Sequence, residues 1–229
     1  MGGIAGYILA GGKNSRMDGK KKAFLMREGI PFWKWIANAM EPFECVYISV
    51  ENRQHYMNKG TWDFAPYSMI EDVFADMGPM GGILSGLLTC EEDALLVATC
   101  DMPLVSREML LKLKEEYEKK GRPVFYAVHG EPAPFPGVYT KDMLRELQNR
   151  VNANNLRMMD FLSAFKSEYV LLERDQAERE WENINTMEEY KIFSGAKHKV
   201  TVEEAVGSLT RTIARIEDTE EVIILEAVG

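Results

Sequence analysis

Unbroken apolar runs alternate along this chain with stretches in which apolar residues recur every three or four positions, the pattern of an α/β sheet. Residues 4–9 (IAGYIL) and 45–50 read as strands, and 67–70 as a short third. Residues 94–99 (ALLVAT) form a run such as a strand buried on both faces shows. Residues 32–40 read as the first helix, and 81–88 as a helix entered through glycines. The clearest helical stripe is 106–120. Met109, Leu110, Leu113 and Tyr117 share a face, Ser106 is placed to cap the first turn, and the helix stops at Gly121. A strand follows at 124–128, then a proline-rich segment, 132–137, leads to Val138 and Tyr139. Helices at 141–150 and 156–165 and a strand at 169–172 complete the order, with no repeat or low-complexity segment. The fold predicted is a Rossmann-like, doubly wound α/β domain built on a mostly parallel sheet.

The pattern changes past Phe193. Residues 194–197 (SGAK) read as a linker. Thr201 and Glu204 have the T-x-x-E spacing of a capping box, and Val202, Ala205, Val206, Leu209, Ile213 and Ile216 fall on one helical face. An acidic turn at 217–221 leads into strand-like 222–225. The expected organisation is a domain over 1–193 and a helix–strand extension over 194–229. Such an apolar helical face must pack against something.

Composition narrows the classes. With 229 residues, 46% hydrophobic and 28% charged, the chain can bury one substantial core and carry an appendage. No apolar run approaches the roughly 20 residues of a membrane span, and the start lacks the pattern of a signal peptide, so no membrane partner and a cytoplasmic location are expected. The net charge of −9 argues against a general nucleic-acid binder, which needs a broad basic surface. Cys45, Cys90 and Cys100 are odd in number and lack CxxC spacing, which argues against a disulfide framework or a zinc site. His55, His129 and His198 are scattered and read as surface or structural residues.

Cation is concentrated in the opening loop, where the first strand breaks into Gly11 and Gly12 and then Lys13, Arg16 and Lys20 to Lys22. Glycine lets backbone N–H groups approach an anion, cations neutralise phosphate, and the first βα turn of a doubly wound sheet lies at the carboxyl ends of the strands. A sharp turn with a solvated basic patch fits the same residues. The spacing is neither GxGxxG nor GxxxxGK[ST], so it supports neither a dinucleotide fold nor a Walker-type ATPase.

Two carboxylate sites belong on the same crevice. Asp101, in the string TCDMP after the buried strand, is a hard oxygen ligand suited to Mg²⁺ beside substrate phosphates, or else a cap for the helix near Ser106. Asp72 follows another strand and precedes Gly78, Gly81 and Gly82, a turn bare enough for close backbone approach to a flat ligand, or else a plain connection into a helix. A phosphate cradle, a metal carboxylate and a ligand loop suit nucleotidyl transfer, in which Lys22 and Arg16 bear on the phosphates. No Ser/His/Asp or Cys/His arrangement competes with that reading.

The string LAGGKNSRMDGKKKAFL resembles the LAGG-x-S-x-RMG-x-DKA signature of nucleotidyltransferases, in the branch of the molybdenum cofactor guanylyltransferases. IEDVFADMGPMGGILSGL, ATCDMPLV and NINTMEEY agree with that family's later motifs, so the likeness runs from about residue 4 to 193. It implies the three-layer α/β/α fold of the nucleotide-diphospho-sugar transferases, Mg²⁺ as cofactor, and transfer of GMP from GTP to the terminal phosphate of molybdenum-molybdopterin with release of pyrophosphate. It further implies that Leu9, Ala10, Gly11 and Gly12 contact the guanine nucleotide through their backbone. Lys22 would touch phosphate, Asp72 would lie in the nucleotide site and Asp101 would bind the metal. Gly81, Gly82, Asn183 and Asn185 become candidates for the pterin side.

Lys21 stands where the signature has an acid, Asp18 where it has a glycine, and Val50, with Asn52 close by, where relatives often place a base-contacting Asn. Base preference is thereby left open, with a cytidylyltransferase, a sugar-phosphate nucleotidyltransferase and a nucleotide-binding adaptor without turnover as alternatives. The tail from Thr201 resembles the opening of a molybdopterin molybdotransferase, which implies such a module, fused or separate, as a partner.

Overall fold

The computed structural model describes residues 3–11, 20–57, 64, 66–74, 76–173, 176, 177 and 180–195, and the backbone of 200–203, 211–216 and 222–226. The chain divides into two compact units, Met1–Asn185 and Thr186–Gly229, so the division falls ahead of Phe193.

In the first unit the apolar runs become the strands β1 (Ile4–Leu9), β4 (Val46–Val50), β5 (Ser68–Glu71), β6 (Ala94–Thr99), β7 (Val124–Val128), β8 (Glu131–Thr140) and β9 (Glu168–Leu172) of one sheet, ordered β5-β4-β1-β6-β8-β7-β9. A two-stranded hairpin, β2 (Met26–Arg27) and β3 (Ile30–Pro31), stands apart from it. β1 pairs in parallel with both β4 and β6, β4 with β5, and β7 with β9, while β8 runs antiparallel to its neighbours β6 and β7. The chain leaves β1 toward β4 and β5 and then returns to β6 on the other side, so the strand order reverses at β1. Crevices for ligands form at that switch point, beyond the carboxyl ends of the strands.

Alternation along the strands builds two cores. Ile8 of β1 and Leu96 of β6 pack with Trp33 and Ile36 of α1 (Phe32–Ala39) and Met109, Leu110 and Leu113 of α4 (Arg107–Lys120). Tyr7, Leu9, Leu95 and Val97 face the other way, onto Met80, Ile83 and Leu84 of α3 (Gly78–Thr89), Leu147 and Val151 of α5 (Leu144–Asn152), and Phe161 of α6 (Met158–Leu162). This is the predicted three-layer α/β/α arrangement. A short helix, α2 (Arg53–Met57), follows β4. The stripe on α4 is buried as its spacing required. The Ser106 side chain accepts from the N–H of Met109 at 3.2 Å, and Gly121 closes the helix at φ 63°, a conformation that favours glycine.

The proline-rich segment is not a lead-in to a strand but part of β8. Pro134 and Pro136 fit because the ladder with β7 slips there: Phe125 pairs with Gly137, yet Tyr126 pairs with Ala133, while Pro132 stands in register opposite Ala127. Proline lacks the N–H that a continuous ladder needs, so its natural place is such an irregularity. β6 uses only Gly137 to Thr140, beyond the last proline. The helix expected at 156–165 is shorter, confined to Met158–Leu162.

In the second unit, α7 (Met187–Gly195) opens on a capping box. The N–H of Thr186 donates to Glu189 Oε2 and the N–H of Glu189 to Thr186 Oγ1, each at 3.1 Å. At both described ends of the span expected to be helical, Thr201 to Ile216, the chain is extended. Thr201 and Val202 belong to β10 (Val200–Glu203), and Ile213 and Ile216 to β11 (Arg211–Ile216). With β12 (Val222–Glu226) these make an antiparallel sheet ordered β10-β11-β12. The run of β-branched residues, Val200, Thr201 and Val202 and then Thr212, Ile213 and Ile216, is stiff at χ1 and suits a pleated strand better than a helix. Glu204, Ala205, Val206 and Leu209 lie outside the described residues. Among those described, no helix is long and apolar enough to cross a membrane.

Candidate functional site

Where β1 ends, its neighbours hold the backbone on both sides. The Leu9 carbonyl accepts from the N–H of Cys100 at 3.2 Å, the N–H of Ala10 donates to the Ser49 carbonyl at 3.0 Å, and the Ala10 carbonyl accepts from the Tyr56 hydroxyl at 2.6 Å. Gly11 comes next. A Cβ here would stand 3.3 Å from Asp72 Oδ2 and from the Glu51 nitrogen, and 3.5 Å from Glu51 Oε2, so the glycine lets two carboxylates close over the strand end. Gly12 and Arg16, with Lys13 and Asp18, lie outside the described residues.

Lys22 begins a 3₁₀ turn, Lys22–Phe24, and its ammonium reaches across the strand ends. It donates to Asp101 Oδ2 at 3.3 Å and to Asn185 Oδ1 at 2.9 Å. The hydroxyl of Thr99, the last residue of β6, donates to Asp101 Oδ1, and the Asp101 carbonyl accepts from the N–H of Ile184 at 2.7 Å. Since Ser106 supplies the cap of α4, Asp101 is not needed for that purpose. The structure thus brings Lys22, Asp101 and Asn185 together, and adds Thr99 and the backbone of Ile184. Asn183 is exposed beside them.

Asp72 stands on the other side of β1, at the end of β5. Its N–H donates to the Val50 carbonyl at 2.9 Å, and its Oδ1 accepts from the fully buried Ser49 hydroxyl at 2.6 Å. Burial raises the Asp72 carboxyl above its ordinary value, the Ser49 bond opposes the rise, and Glu71 adds to it.

Gly81 and Gly82 are buried in the first turns of α3. A Cβ on Gly82 would lie 2.6 Å from Leu9 Cδ2 and 2.9 Å from Ser49 Oγ, and one on Gly81 would lie 2.8 Å from the Phe74 carbonyl oxygen. The Tyr7 hydroxyl donates to the Gly82 carbonyl at 2.8 Å. The room that Gly81 and Gly82 leave at Cβ is filled by protein, whereas a Cβ on Gly78 would meet nothing within 4 Å.

Lys21 pairs with Glu51 and lies 4.8 Å from the centre of the Tyr56 ring. Asn52 accepts from the N–H of Gln54 at 2.9 Å, and Val50 is buried. Sequence reasoning passed over Thr99, Ser49, Glu51 and Tyr56. Ser49 did leave a signal, as a polar residue within the apolar run VYISV.

The donor set suits a hard divalent ion held jointly with phosphates. Asp101 is a partly exposed carboxylate at a strand end, and the described residues contain no cluster of three or more His, Cys, Asp or Glu side chains that could cage a metal by themselves.

Residues 6–167 match the profile of the MobA-like NTP transferase domain. A probable molybdenum cofactor guanylyltransferase of Flavobacterium johnsoniae is 31% identical over 185 residues, covering 80% of this chain and 92% of that protein. One of Clostridium perfringens SM101 is 32% identical over 195 residues, with the same coverage. Among solved structures, molybdopterin-guanine dinucleotide biosynthesis protein A of Archaeoglobus fulgidus superposes with a TM-score of 0.71 at 22% identity, covering 83% of this chain and 96% of that one. The 4-diphosphocytidyl-2C-methyl-D-erythritol synthase of Anaerococcus prevotii gives 0.62 at 14%, covering 85% and 95%, so the two share a fold. The profile spans both carboxylate sites and the lysine loop between β1 and α1, and on that extent and those identities the chain belongs to the MobA-like NTP transferase family.

Proposed function

We propose that this chain is a molybdenum cofactor guanylyltransferase, joining GMP from GTP to the terminal phosphate of molybdenum-molybdopterin and releasing pyrophosphate. The observation that carries the reading is the meeting of Lys22, Asp101 and Asn185 at the end of β6, beside the hydrogen-bonded backbone of Leu9 and Ala10. The names of its relatives agree with it.

In this assignment Leu9, Ala10, Gly11 and Gly12 offer backbone groups to the nucleotide, Asp72 borders the same subsite, and Lys22 and Arg16 neutralise the triphosphate. Asp101 holds the metal, for which we propose Mg²⁺. Such an ion would neutralise charge on the phosphates and hold them in line. A phosphate oxygen of the pterin forms the new bond to the α-phosphorus. The bond from that phosphorus to the α–β bridging oxygen breaks, and pyrophosphate leaves with the electron pair. No covalent enzyme intermediate is required, so the residues act by orientation and charge. Asn183 and Asn185 are assigned to the pterin side, while Gly81 and Gly82 shape it by letting α3 approach the strands. The likeness of the tail to a molybdotransferase carries no part of this assignment.

The test is pyrophosphate release with Mg²⁺, comparing GTP with CTP in the presence and absence of molybdenum-molybdopterin. Release with GTP and pterin together is expected. Preference for CTP would move the chain to the cytidylyltransferases, and nucleotide binding without release would make it an adaptor.

A further inference from the structure

The ion pair between Lys21 and Glu51 makes no contribution to the chemistry assigned above, yet it sits against the backbone that the nucleotide is to use. Tyr56 links the two. Its ring is almost fully buried, and its hydroxyl lies 2.6 Å from the Ala10 carbonyl and 3.1 Å from Glu51 Oε2. A phenol has one proton to give. Burial holds that phenol far above its ordinary titration range, so it remains a donor. Two acceptors therefore compete for a single hydrogen, and a full carboxylate charge is the stronger acceptor.

Lys21 changes that balance. Its ammonium engages Glu51 through Oε1, while the Tyr56 hydroxyl faces Oε2, and it also lies over the Tyr56 ring. Neutralised in this way, Glu51 draws less on the phenol proton, and the shorter contact, to Ala10, takes it. The ammonium also offsets the negative potential of Glu51 beside Gly11, where Asp72 adds another carboxylate.

We propose that Lys21 is a positioning residue for nucleotide binding: by neutralising Glu51 it directs the Tyr56 hydrogen bond onto the Ala10 carbonyl and so holds the Ala10–Gly11 backbone ready for the nucleotide. Lys21 is not a phosphate ligand in this account. Its charge, opposite in sign to that of the acid in the signature, is matched by the acid at position 51. The inference rests on the guanylyltransferase reading, and its primary readout is nucleotide binding, which needs no pterin.

The experiment is a double-mutant cycle read by titration with a fluorescent mant-GTP, and by KM and kcat for GTP in pyrophosphate release. Lys21→Met should weaken mant-GTP binding and raise KM roughly tenfold with kcat within about twofold, as expected for loss of a contact felt equally in ground and transition states. Glu51→Gln in the Lys21→Met background should restore most of that loss, because the competing charge has gone. Tyr56→Phe should weaken binding to a similar degree and leave Lys21→Met with no further effect. If Lys21 bound phosphate directly, the Lys21→Met/Glu51→Gln pair would stay as weak as Lys21→Met alone, and that outcome overturns the proposal. So does an unchanged KM for Lys21→Met. A wild-type chain that releases pyrophosphate with GTP while Lys21→Met behaves normally defeats only this inference. Failure of the wild-type chain to bind mant-GTP defeats the underlying reading as well.

Discussion

Ser49→Ala removes a single oxygen from a buried strand, and its cost should depend on pH in a direction that the structure dictates. The Ser49 hydroxyl is fully buried and donates to Asp72 Oδ1 at 2.6 Å. While Asp72 is ionised the bond is charge-assisted and worth about 1.5–3 kcal/mol; once the carboxyl is protonated, a neutral bond is worth about 0.5–1.5 kcal/mol. The expected destabilisation is thus about 2 kcal/mol at pH 8, shrinking to about 1 kcal/mol at the acid end of the profile. For a unit of this size that corresponds to a Tm lower by roughly 4–8 °C at pH 8 and by about half as much in acid. The sign follows from Asp72 itself. Burial raises its folded pKa, so its contribution to stability is complete below the unfolded carboxylate range and declines as pH rises through the folded value. Loss of the one hydrogen bond that opposes this rise moves the folded value higher and deepens the decline. Urea unfolding of wild type and variant from pH 4 to 8 measures the difference directly. A pH-independent cost, or one below about 0.5 kcal/mol throughout, would refute the reasoning.

Gly82→Ala places a Cβ 2.6 Å from Leu9 Cδ2 and should cost about 1–3 kcal/mol in urea unfolding, where a ligand-loop glycine would cost nothing. Asp101→Asn should lower kcat for pyrophosphate release by about a thousandfold at unchanged Tm, and near-normal turnover would remove the metal from Asp101. Lys22→Met frees Asp101 Oδ2 from its ammonium partner, so Mn²⁺ binding without nucleotide, followed by electron paramagnetic resonance, should tighten about twofold to fivefold, the worth of a partly exposed ion pair. Equal affinity would show that lysine and metal do not share that oxygen.

Much of the scaffold is legible from patterning because buried strands must be apolar on both faces. Residues 94–99 and 124–128 emerge with the bounds predicted. The tail fails because a T-x-x-E spacing followed by scattered Val and Ile fits a helical face and an extended strand equally well; the capping box that forms is at Thr186, in the motif beside it. Within the candidate site, the positions of Asp101 and Asp72 are legible because each follows a strand end, and that of Lys22 because it closes the cationic loop after β1. Thr99, Ser49, Glu51 and Tyr56 could not, because their roles depend on which strands lie side by side. Only the register that sets Leu9 beside both Ser49 and Thr99 brings them to one place. Gly81 and Gly82 show a different limit: a glycine permits close approach, and the string alone does not say whether ligand or protein approaches.

The hydrogen bond from Ile184 to the Asp101 carbonyl sets where this enzyme can be cut. The family match stops at residue 167, but β9 and the amide that anchors Asp101 both come later in the chain. A minimal domain trimmed to the shared boundary would retain the lysine and both aspartates while losing the Asn185 contact and the tether beneath one aspartate. For anyone assembling chimeras on this scaffold, the unit to carry over runs through Asn185, because a cut placed earlier separates Asp101 and Lys22 from partners that lie beyond the shared boundary.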